Sequence, residues 1–232
     1  RPPVTQNEIQ QKALWIHEQL IESYGKPENS SDSDPVASLV STILSQNTND
    51  RNRDVAYRQL RERFPTWEAV RDAATEDVVE AIRPAGLGPS KGPRIQKALQ
   101  RITEEQGKIS LEFLRDMPLE EARTWLLDIK GVGPKTAAIV LLFALARPAF
   151  PVDTHVHRVT QRLGIIPQDA SREQAHEILE DMLPAEIYYP FHLNLIRHGR
   201  RTCEARSPKC ERCSLRARCD YYQRLQSEEN PS

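Results

Sequence analysis

The chain has 232 residues, a formal net charge of −1, and 28% charged against 38% hydrophobic residues. This is the composition of an ordinary soluble protein with one large domain or two small ones, and it excludes an overall basic chain of the kind that signals nucleic-acid binding. The longest apolar run, residues 137–146, is about half the length of a membrane span, and the first residues lack the apolar core of a signal peptide. We therefore expect an intracellular protein without a membrane partner, located in the cytoplasm or nucleoid, or in the nucleus or an organelle of a eukaryote.

Apolar residues recur at helical spacing between short breaks at proline and glycine. The predicted helices are, in chain order, 9–24, 36–44, 51–64, 66–83, 91–105, 119–127, 134–146, 155–163, 172–183 and 186–200. The helix at 134–146 is apolar on nearly all sides, which indicates a buried central helix. No alternating strand pattern of useful length occurs, so the fold is predicted to be all-α. The polar segment 28–35 is predicted to be a linker, and residues 225–232 a disordered tail.

Positive charge is concentrated near the end of the chain, where residues 197–218 hold eight Lys or Arg against two Glu. Within this stretch Arg206 and Lys209 lie in a short loop between two cysteines. If that loop wraps around a metal, it is stiff and presents both cations outward. Such a patch can bind an anionic partner even when the total charge is near zero, although on charge alone a solvated basic face is an equal explanation. We expect Arg206 and Lys209 to contact phosphate.

All four cysteines lie within 17 residues, with the spacing C-x6-C-x2-C-x5-C: Cys203, Cys210, Cys213 and Cys219. This grouping indicates metal ligands, because intracellular thiols seldom form disulfides. Structural zinc sites usually pair two C-x2-C knuckles, and only Cys210 and Cys213 form one here. A [4Fe–4S] cluster held by four thiolates tolerates uneven spacing in one loop. The spacing alone leaves zinc open and favours iron–sulfur by a small margin.

The sequence Gly131-Val132-Gly133 separates two predicted helices. Glycine permits positive φ and close approach of a ligand to the backbone, while Val132 can insert into the core. Pro134 suits the first position of a helix, whose free N–H groups and positive dipole end favour a phosphate. For this motif by itself, a tight turn used only for packing is the alternative.

Lys135 lies in the first turn of the apolar helix, where the helix dipole disfavours a cation. Its position before an apolar run predicts a partly buried stem, and both effects favour a neutral amine that can attack carbon and form a Schiff base. A lysine that extends into solvent is the alternative.

Asp153 follows Lys135 by 18 residues. The intervening helix carries the chain away by roughly 18 Å, and the proline-broken segment 147–152 can extend back by about 20 Å. The sequence therefore allows Asp153 to lie near Lys135. Asp153 can also cap the helix that follows it, and the two roles are compatible.

Taken together, these elements resemble the endonuclease III family of helix-hairpin-helix DNA glycosylases. The resemblance covers nearly the whole chain and rests on ILSQNTND, AGLGPSK, LLDIKGVGPKTA, FPVDTHVHRV and the cysteine pattern, in that order. It implies a six-helix barrel domain at 36–147, with the helix-hairpin-helix at about 119–146. It also implies a helical [4Fe–4S] cluster domain built from both chain ends, 1–35 with 148–224.

The implied function is that of a bifunctional DNA glycosylase/AP lyase of base excision repair. Such an enzyme removes damaged, here oxidised, pyrimidines from double-stranded DNA and nicks the abasic site by β-elimination through a lysine Schiff base. The resemblance makes Lys135 the nucleophile and Asp153 the carboxylate that stabilises positive charge on the sugar. It makes the four cysteines the ligands of a [4Fe–4S] cluster, and the protein is expected to act as a monomer.

The resemblance also implies DNA contacts, because a base must leave the stack before its glycosidic bond can be reached. Gln46 or Asn47 would fill the gap, and Leu87, which flanking glycines expose, would press against the opposite strand. A helix cap and turn is the alternative for Gln46 and Asn47. The family most often has glutamine where Asn47 aligns, which leaves the opposite-base preference open. The residues assigned to DNA are Gln46, Asn47, Leu87, Gly131, Val132, Gly133, Arg206 and Lys209.

Other functions stay open at this point. An adenine glycosylase is disfavoured, because those relatives lack the hairpin lysine and carry an extra C-terminal domain. A mismatch thymine/uracil glycosylase or a 5-methylcytosine glycosylase has similar SQNTND and AFPVDT stretches. A non-catalytic helix-hairpin-helix DNA-binding module predicts no functional need for Lys135 or Asp153, and a zinc-stabilised helical interaction protein predicts a colourless preparation.

Overall fold

The computed structural model describes residues 5–29 and 33–229. These residues form helices and no β-strand, which confirms the all-α prediction. Residues 1–4 of the predicted cluster domain, residues 30–32 of the predicted linker and residues 230–232 of the predicted tail lie outside the described residues. Within the described part of the chain, no helix combines the length and apolarity that crossing a membrane requires.

The α-helices are, in chain order, α1 Gln6–Tyr24, α2 Pro35–Leu44, α3 Asp50–Arg63, α4 Trp67–Asp72, α5 Thr75–Ala81, α6 Gly88–Gln106, α7 Leu119–Leu127, α8 Pro134–Ile139, α9 Thr154–Leu163, α10 Arg172–Met182, α11 Tyr188–Arg201 and α12 Asp220–Glu229. The chain divides into two compact units, Ser30–Arg147 and Arg1–Asn29 with Pro148–Ser232. Helices α2–α8 belong to the first of these units, and α1 with α9–α12 belong to the second.

In the unit Ser30–Arg147, α2 begins where Asp34 caps it, with Asp34 Oδ1 accepting from the Val36 N–H at 2.9 Å and Pro35 in the first turn. The apolar face of α2 is fully buried and forms much of the core. Helices α5 and α6 pack closely because Gly92 faces Val79, where an added Cβ would lie 2.8 Å from Val79 Cγ2. This close packing fixes the start of α6 and the turn before it.

The prediction of a single helix at 66–83 is wrong. The segment forms two helices, α4 and α5, with a break between them, and is followed by a 3-10 turn, Arg83–Ala85. The buried Gln96 on α6 explains the break. Its Nε2 donates to Val70 O at 3.1 Å and to Ala73 O at 2.8 Å, and its Oε1 accepts from Thr75 Oγ1 at 2.8 Å. A side chain from another helix thus satisfies the backbone that an unbroken helix would have paired.

The central helix predicted at 134–146 is α-helical only to Ile139 and continues as a π-helical turn, Val140–Ala144. The Leu145 N–H donates to Val140 O at 3.2 Å, five residues back. Thr136, Ala137 and Ala138 are buried, in agreement with the predicted central position.

In the unit formed by both chain ends, α9 approaches α11 at Gly199, where an added Cβ would lie 3.0 Å from His155 Cβ. Helix α1 also packs on α11, with the rings of His17 and Phe191 5.6 Å apart between centroids.

The disordered tail predicted at 225–232 is wrong for its described part, because α12 runs to Glu229. Tyr221 and Leu225 are half-buried and four residues apart, so they lie on one face of the helix. The carboxylate of Asp220, in the first turn of α12, interacts favourably with the positive end of the helix dipole. It also pairs with Lys12 Nζ at 2.6 Å.

Candidate DNA-binding and catalytic site

The hairpin of Gly131, Val132 and Gly133 turns on a glycine with φ +91° at Gly131. Val132 is 6% exposed and faces the core, as the sequence predicts. Gly133 precedes α8, whose first N–H groups have no side-chain cap, and Pro134 occupies the first turn. The hairpin therefore leaves its last backbone amides open toward a ligand.

Gly131 is the glycine of this hairpin where a side chain would be most strained. An added Cβ would lie 2.7 Å from Arg94 Cδ, in addition to the strain of the positive φ. At Gly133 the backbone is extended and nothing lies within 4 Å of an added Cβ.

We expect Gly131→Ala to lower the free energy of unfolding by about 1–3 kcal/mol, measured by urea denaturation. Gly133→Ala is the matched control, and an equal loss in both variants would contradict this account.

Lys135 is exposed, so the predicted burial of its stem is wrong. The burial fails because α8 turns its next three residues, Thr136 to Ala138, into the core, which leaves Pro134 and Lys135 on the outer face. The exposed amine is accessible to a substrate from outside the unit. Lys135 and Asp153 belong to different units, and their proximity stays a prediction.

The structure separates the two candidates for filling a DNA gap. Gln46 is half-buried and tied down, because its Nε2 donates to Gly131 O at 3.1 Å and its Oε1 accepts from Arg94 NH1 at 3.3 Å. Asn47 is exposed and left-handed, with φ +53°. The turn in the alternative for Gln46 and Asn47 is confirmed and the cap is wrong, because α2 ends at Leu44 and its C-cap is Ser45.

Leu87 stands between Gly86 and Gly88 with φ +51° and is 55% exposed. A left-handed leucine is uncommon because its side chain crowds the following carbonyl, at a cost of about 1–2 kcal/mol. The apolar side chain of Leu87 is therefore held outward by its turn and has no place in the core.

Two residues that the sequence did not single out hold this region together. Arg94 contacts both Gln46 and the hairpin, as described above. Lys91 is 1% exposed, and its Nζ donates to Leu44 O at 2.8 Å and to Ala85 O at 2.9 Å. Burial lowers the pKa of Lys91. The sequence around Lys91 and Arg94 does not predict these contacts, because most of their partners are distant in the chain.

In the unit of both chain ends, Asp153 caps α9: its Oδ1 accepts from the Val156 N–H at 2.7 Å. The preceding residues, Phe150 to Val152, are buried and hold Asp153 at the unit surface, half-exposed. Burial lowers the pKa of His155 and outweighs the opposing effect of Asp153. The carboxylate thus stands next to a histidine that stays neutral near pH 7.

Helix α9 also connects Asp153 to the cysteines. Arg158 donates from Nε to Cys203 O at 3.2 Å and from NH2 to Gly199 O at 2.9 Å. One turn later, Arg162 donates from NH1 to Cys203 Sγ at 3.4 Å. Two arginines of one helix therefore anchor the start of the cysteine segment.

The four cysteines are free thiols and line one pocket, together with Arg162 and His198. Burial is the main cause that raises the pKa of the Cys213 thiol to about 11, and it also raises the pKa values of Cys210 and Cys219. The negative charge of the Cys203 thiolate further raises these three pKa values, so the four thiols influence one another electrostatically. Thiols with raised pKa values need a bound cation to become thiolates near pH 7.

The chemistry of these side chains bears on which metal fits. Among the described residues, no group of three or more His, Cys, Asp or Glu has the arrangement of a single-ion metal site. Four thiols that line one pocket form a soft, all-sulfur donor set. Such a set fits a [4Fe–4S] cluster and also fits structural zinc.

The two cations of the cysteine loop differ in their surroundings. Arg206 is exposed, whereas Lys209 is half-buried and donates to Arg201 O at 2.9 Å. Lys209 also pairs with Glu204 of the same loop. The expectation that both cations point outward is therefore wrong for Lys209, because a carboxylate five residues earlier draws its ammonium group back onto the loop.

Comparison with known proteins identifies the family. The model of the HhH-GPD superfamily base excision DNA repair proteins matches residues 40–185. A relative from Arabidopsis thaliana is 40% identical over 70% of this chain, and the chain spans only 55% of that protein. Endonuclease III of Thermotoga maritima is 35% identical over 85% of this chain and 88% of its own length. The solved structure of a trapped endonuclease III–DNA covalent intermediate superposes with a TM-score of 0.81 at 27% identity, covering 97% of this chain and 100% of the other. The chain therefore belongs to the endonuclease III family within the HhH-GPD superfamily of base excision DNA repair proteins.

Proposed function

We propose that this protein, a base excision DNA glycosylase with AP lyase activity by its family, removes oxidised pyrimidines from double-stranded DNA and acts as a monomer. The observation that carries the proposal is the exposed Lys135 directly behind the hairpin, in a chain similar to a protein trapped covalently on DNA. DNA as substrate implies that the protein works in a compartment that holds DNA.

The chemistry follows from one amine and one carboxylate. After the ammonium group of Lys135 gives one proton to solvent, its Nζ attacks C1′ of the flipped nucleotide, the C1′–N bond breaks, and the base leaves with that electron pair and a proton from the amine. Loss of the second amine proton and opening of the sugar ring give a Schiff base between Nζ and C1′. Removal of a proton from C2′ then expels the 3′ phosphate and nicks the strand.

Asp153 is assigned to the charge that this reaction creates. Its carboxylate stabilises positive charge on the sugar as the C1′–N bond breaks, and it assists the removal of the amine proton. The cap to Val156 uses Oδ1 and fixes the orientation of the carboxylate.

The remaining residues grip and open the duplex. The amides of Gly131 and Gly133 receive a phosphate. Val132 supports this site from the core, because its own N–H donates to Ile129 O at 2.9 Å. Asn47 enters the gap left by the flipped nucleotide, since it is exposed while Gln46 is held against the hairpin; Gln46 supports the turn and reaches DNA only if it releases Gly131 O. Leu87 presses on the opposite strand.

The cysteine loop is also assigned to the DNA backbone. We assign Cys203, Cys210, Cys213 and Cys219 as ligands of a [4Fe–4S] cluster, which when bound supplies a rigid link between the segments of the loop. Arg206 then contacts a phosphate directly. Lys209 pairs with Glu204, which stiffens the loop and removes the repulsion of that carboxylate for the DNA backbone.

A cleavage panel under single-turnover conditions tests the substrate assignment. The duplexes carry thymine glycol, other oxidised pyrimidines, an abasic site, G·T and G·U mismatches, or 5-methylcytosine, each with the four opposite bases where the lesion allows. We expect oxidised pyrimidines and abasic sites to be cut fastest. Faster cutting of mismatches or of 5-methylcytosine would replace the proposed substrate with one of those classes, and binding without cleavage of any duplex would make the protein a DNA-binding module.

A further inference from the structure

Lys91 is a buried cation placed where α2, α6 and the Leu87 turn meet. Its side chain is 1% exposed, and both described acceptors of its Nζ are backbone carbonyls. Leu44 O is at the C-terminal end of α2, where the helix dipole is negative and carbonyls lack helical partners. A lysine is costly to bury, so its position calls for an explanation beyond packing.

The two acceptors lie directly before the two turns that present side chains to DNA. Leu44 is three residues before Asn47, and Ala85 is two residues before Leu87. The backbone N–H of Lys91 also donates to Leu87 O at 2.9 Å. The side chain of Lys91 is thus bonded to the backbone before both turns, while its backbone bond to Leu87 O is an ordinary helical bond at the start of α6.

Both turns contain a non-glycine residue in the left-handed region. Within residues 5–29 and 33–229, the non-glycine residues with positive φ are Asn47, Leu87 and Ala146, and the first two are the DNA-facing side chains of this unit. Left-handed conformations of such residues persist only where surrounding contacts hold them. The ammonium group of Lys91 supplies such contacts to both turns from one atom.

We propose that Lys91 is a positioning residue that fixes the Asn47 turn and the Leu87 turn at one spacing, so that both side chains enter the duplex together. This inference rests on the proposed function for its DNA step, and on the hydrogen bonds alone for its structural step. Lys91 does not contact DNA in this account; it acts through the two backbone carbonyls.

The test compares substrates that do and do not need both side chains. In single-stranded DNA with an abasic site there is no opposite strand for Leu87 and no base pair to open. We expect Lys91→Met to lower kcat/KM on abasic duplex by about 10- to 100-fold and to leave single-strand nicking within about twofold. A variant that is only less stable would lose both activities in parallel.

Gln96→Met is the matched control, because Gln96 is a buried side chain of the same helix that also donates to backbone carbonyls, at the α4–α5 break. We expect it to lose comparable stability and to keep the ratio of duplex to single-strand activity. If Lys91→Met does not fold, Lys91→Gln, which keeps an uncharged donor on a side chain one atom shorter, is compared in the same way and should lie between wild type and the full effect. An unchanged ratio in the Lys91 variant, or an equal change in Gln96→Met, would overturn the proposal.

Hydrogen exchange decides the structural step independently of activity. In the Lys91 variant, the amides of residues 45–49 and 85–91 should lose protection together, while Gln96→Met should leave them unchanged. Loosening of one turn alone, or of neither, contradicts a shared hold. If wild type cuts no DNA but both turns loosen together, the proposed function fails while the role of Lys91 in holding the turns stands.

Discussion

Lys135→Ala is expected to abolish strand nicking and to lower base release by about 10³-fold or more, since the nucleophile that forms the Schiff base is gone. The substitution should leave stability near that of wild type, because the side chain is exposed and α8 buries only the residues after it. Single-turnover cleavage of thymine glycol duplex, with product release and nicking followed separately, measures both effects.

Lys130→Ala is the matched control for this experiment. Lys130 is an exposed lysine one residue before the hairpin and carries the same charge. Its removal should weaken DNA binding by a few-fold, in a salt-dependent manner, and leave the nicking rate at saturation. If Lys135→Ala nicks as fast as Lys130→Ala at saturating protein, the assignment of the nucleophile is wrong.

Cys213→Ala is expected to lose the iron and sulfide of the protein and to unfold the cysteine loop. Protein purified under anaerobic conditions should be yellow-brown, with about four iron and four sulfide per chain, and the variant should be colourless. Because metal binding is also folding free energy, the thermal midpoint should fall by several degrees or more. Metal analysis, absorbance and thermal denaturation measure these changes.

Ser214→Ala controls for damage to the loop, because Ser214 is the exposed neighbour of Cys213 and its hydroxyl lies 3.2 Å from that of Ser23. It should keep its iron and its colour. Stoichiometric zinc without iron or sulfide in wild type would contradict the cluster assignment and return the site to the zinc alternative.

Much of the fold was predictable from the spacing of apolar residues, because a helix with one buried face shows apolar residues at helical spacing within its own sequence. The boundary of α7 was predicted as observed, 119–127. The break between α4 and α5 was not, since it depends on Gln96, a residue more than 20 positions later that pairs the interrupted backbone. The π-helical turn after Ile139 likewise has no local signal in a uniformly apolar run.

The candidate site shows the same division. Val132 in the core, the exposure of Leu87 and the cap at Asp153 follow from local chemistry, namely a branched apolar residue between glycines, a leucine between glycines and an aspartate before a helix. Lys91 looks like any surface lysine in the sequence, because its acceptors are backbone atoms brought close only by folding. Lys135 was expected to be partly buried, but it is exposed because α8 turns the residues after it into the core.

The measurement closest to the central claim is the location of the covalent bond. Borohydride reduces a Schiff base to a stable amine, so wild-type protein incubated with abasic duplex and borohydride should be trapped on DNA. After digestion of protein and DNA, mass spectrometry of the peptide that contains residues 131–147 should show the sugar-derived adduct on Lys135. An adduct on another amine, or none on protein that still nicks the strand, would contradict the account.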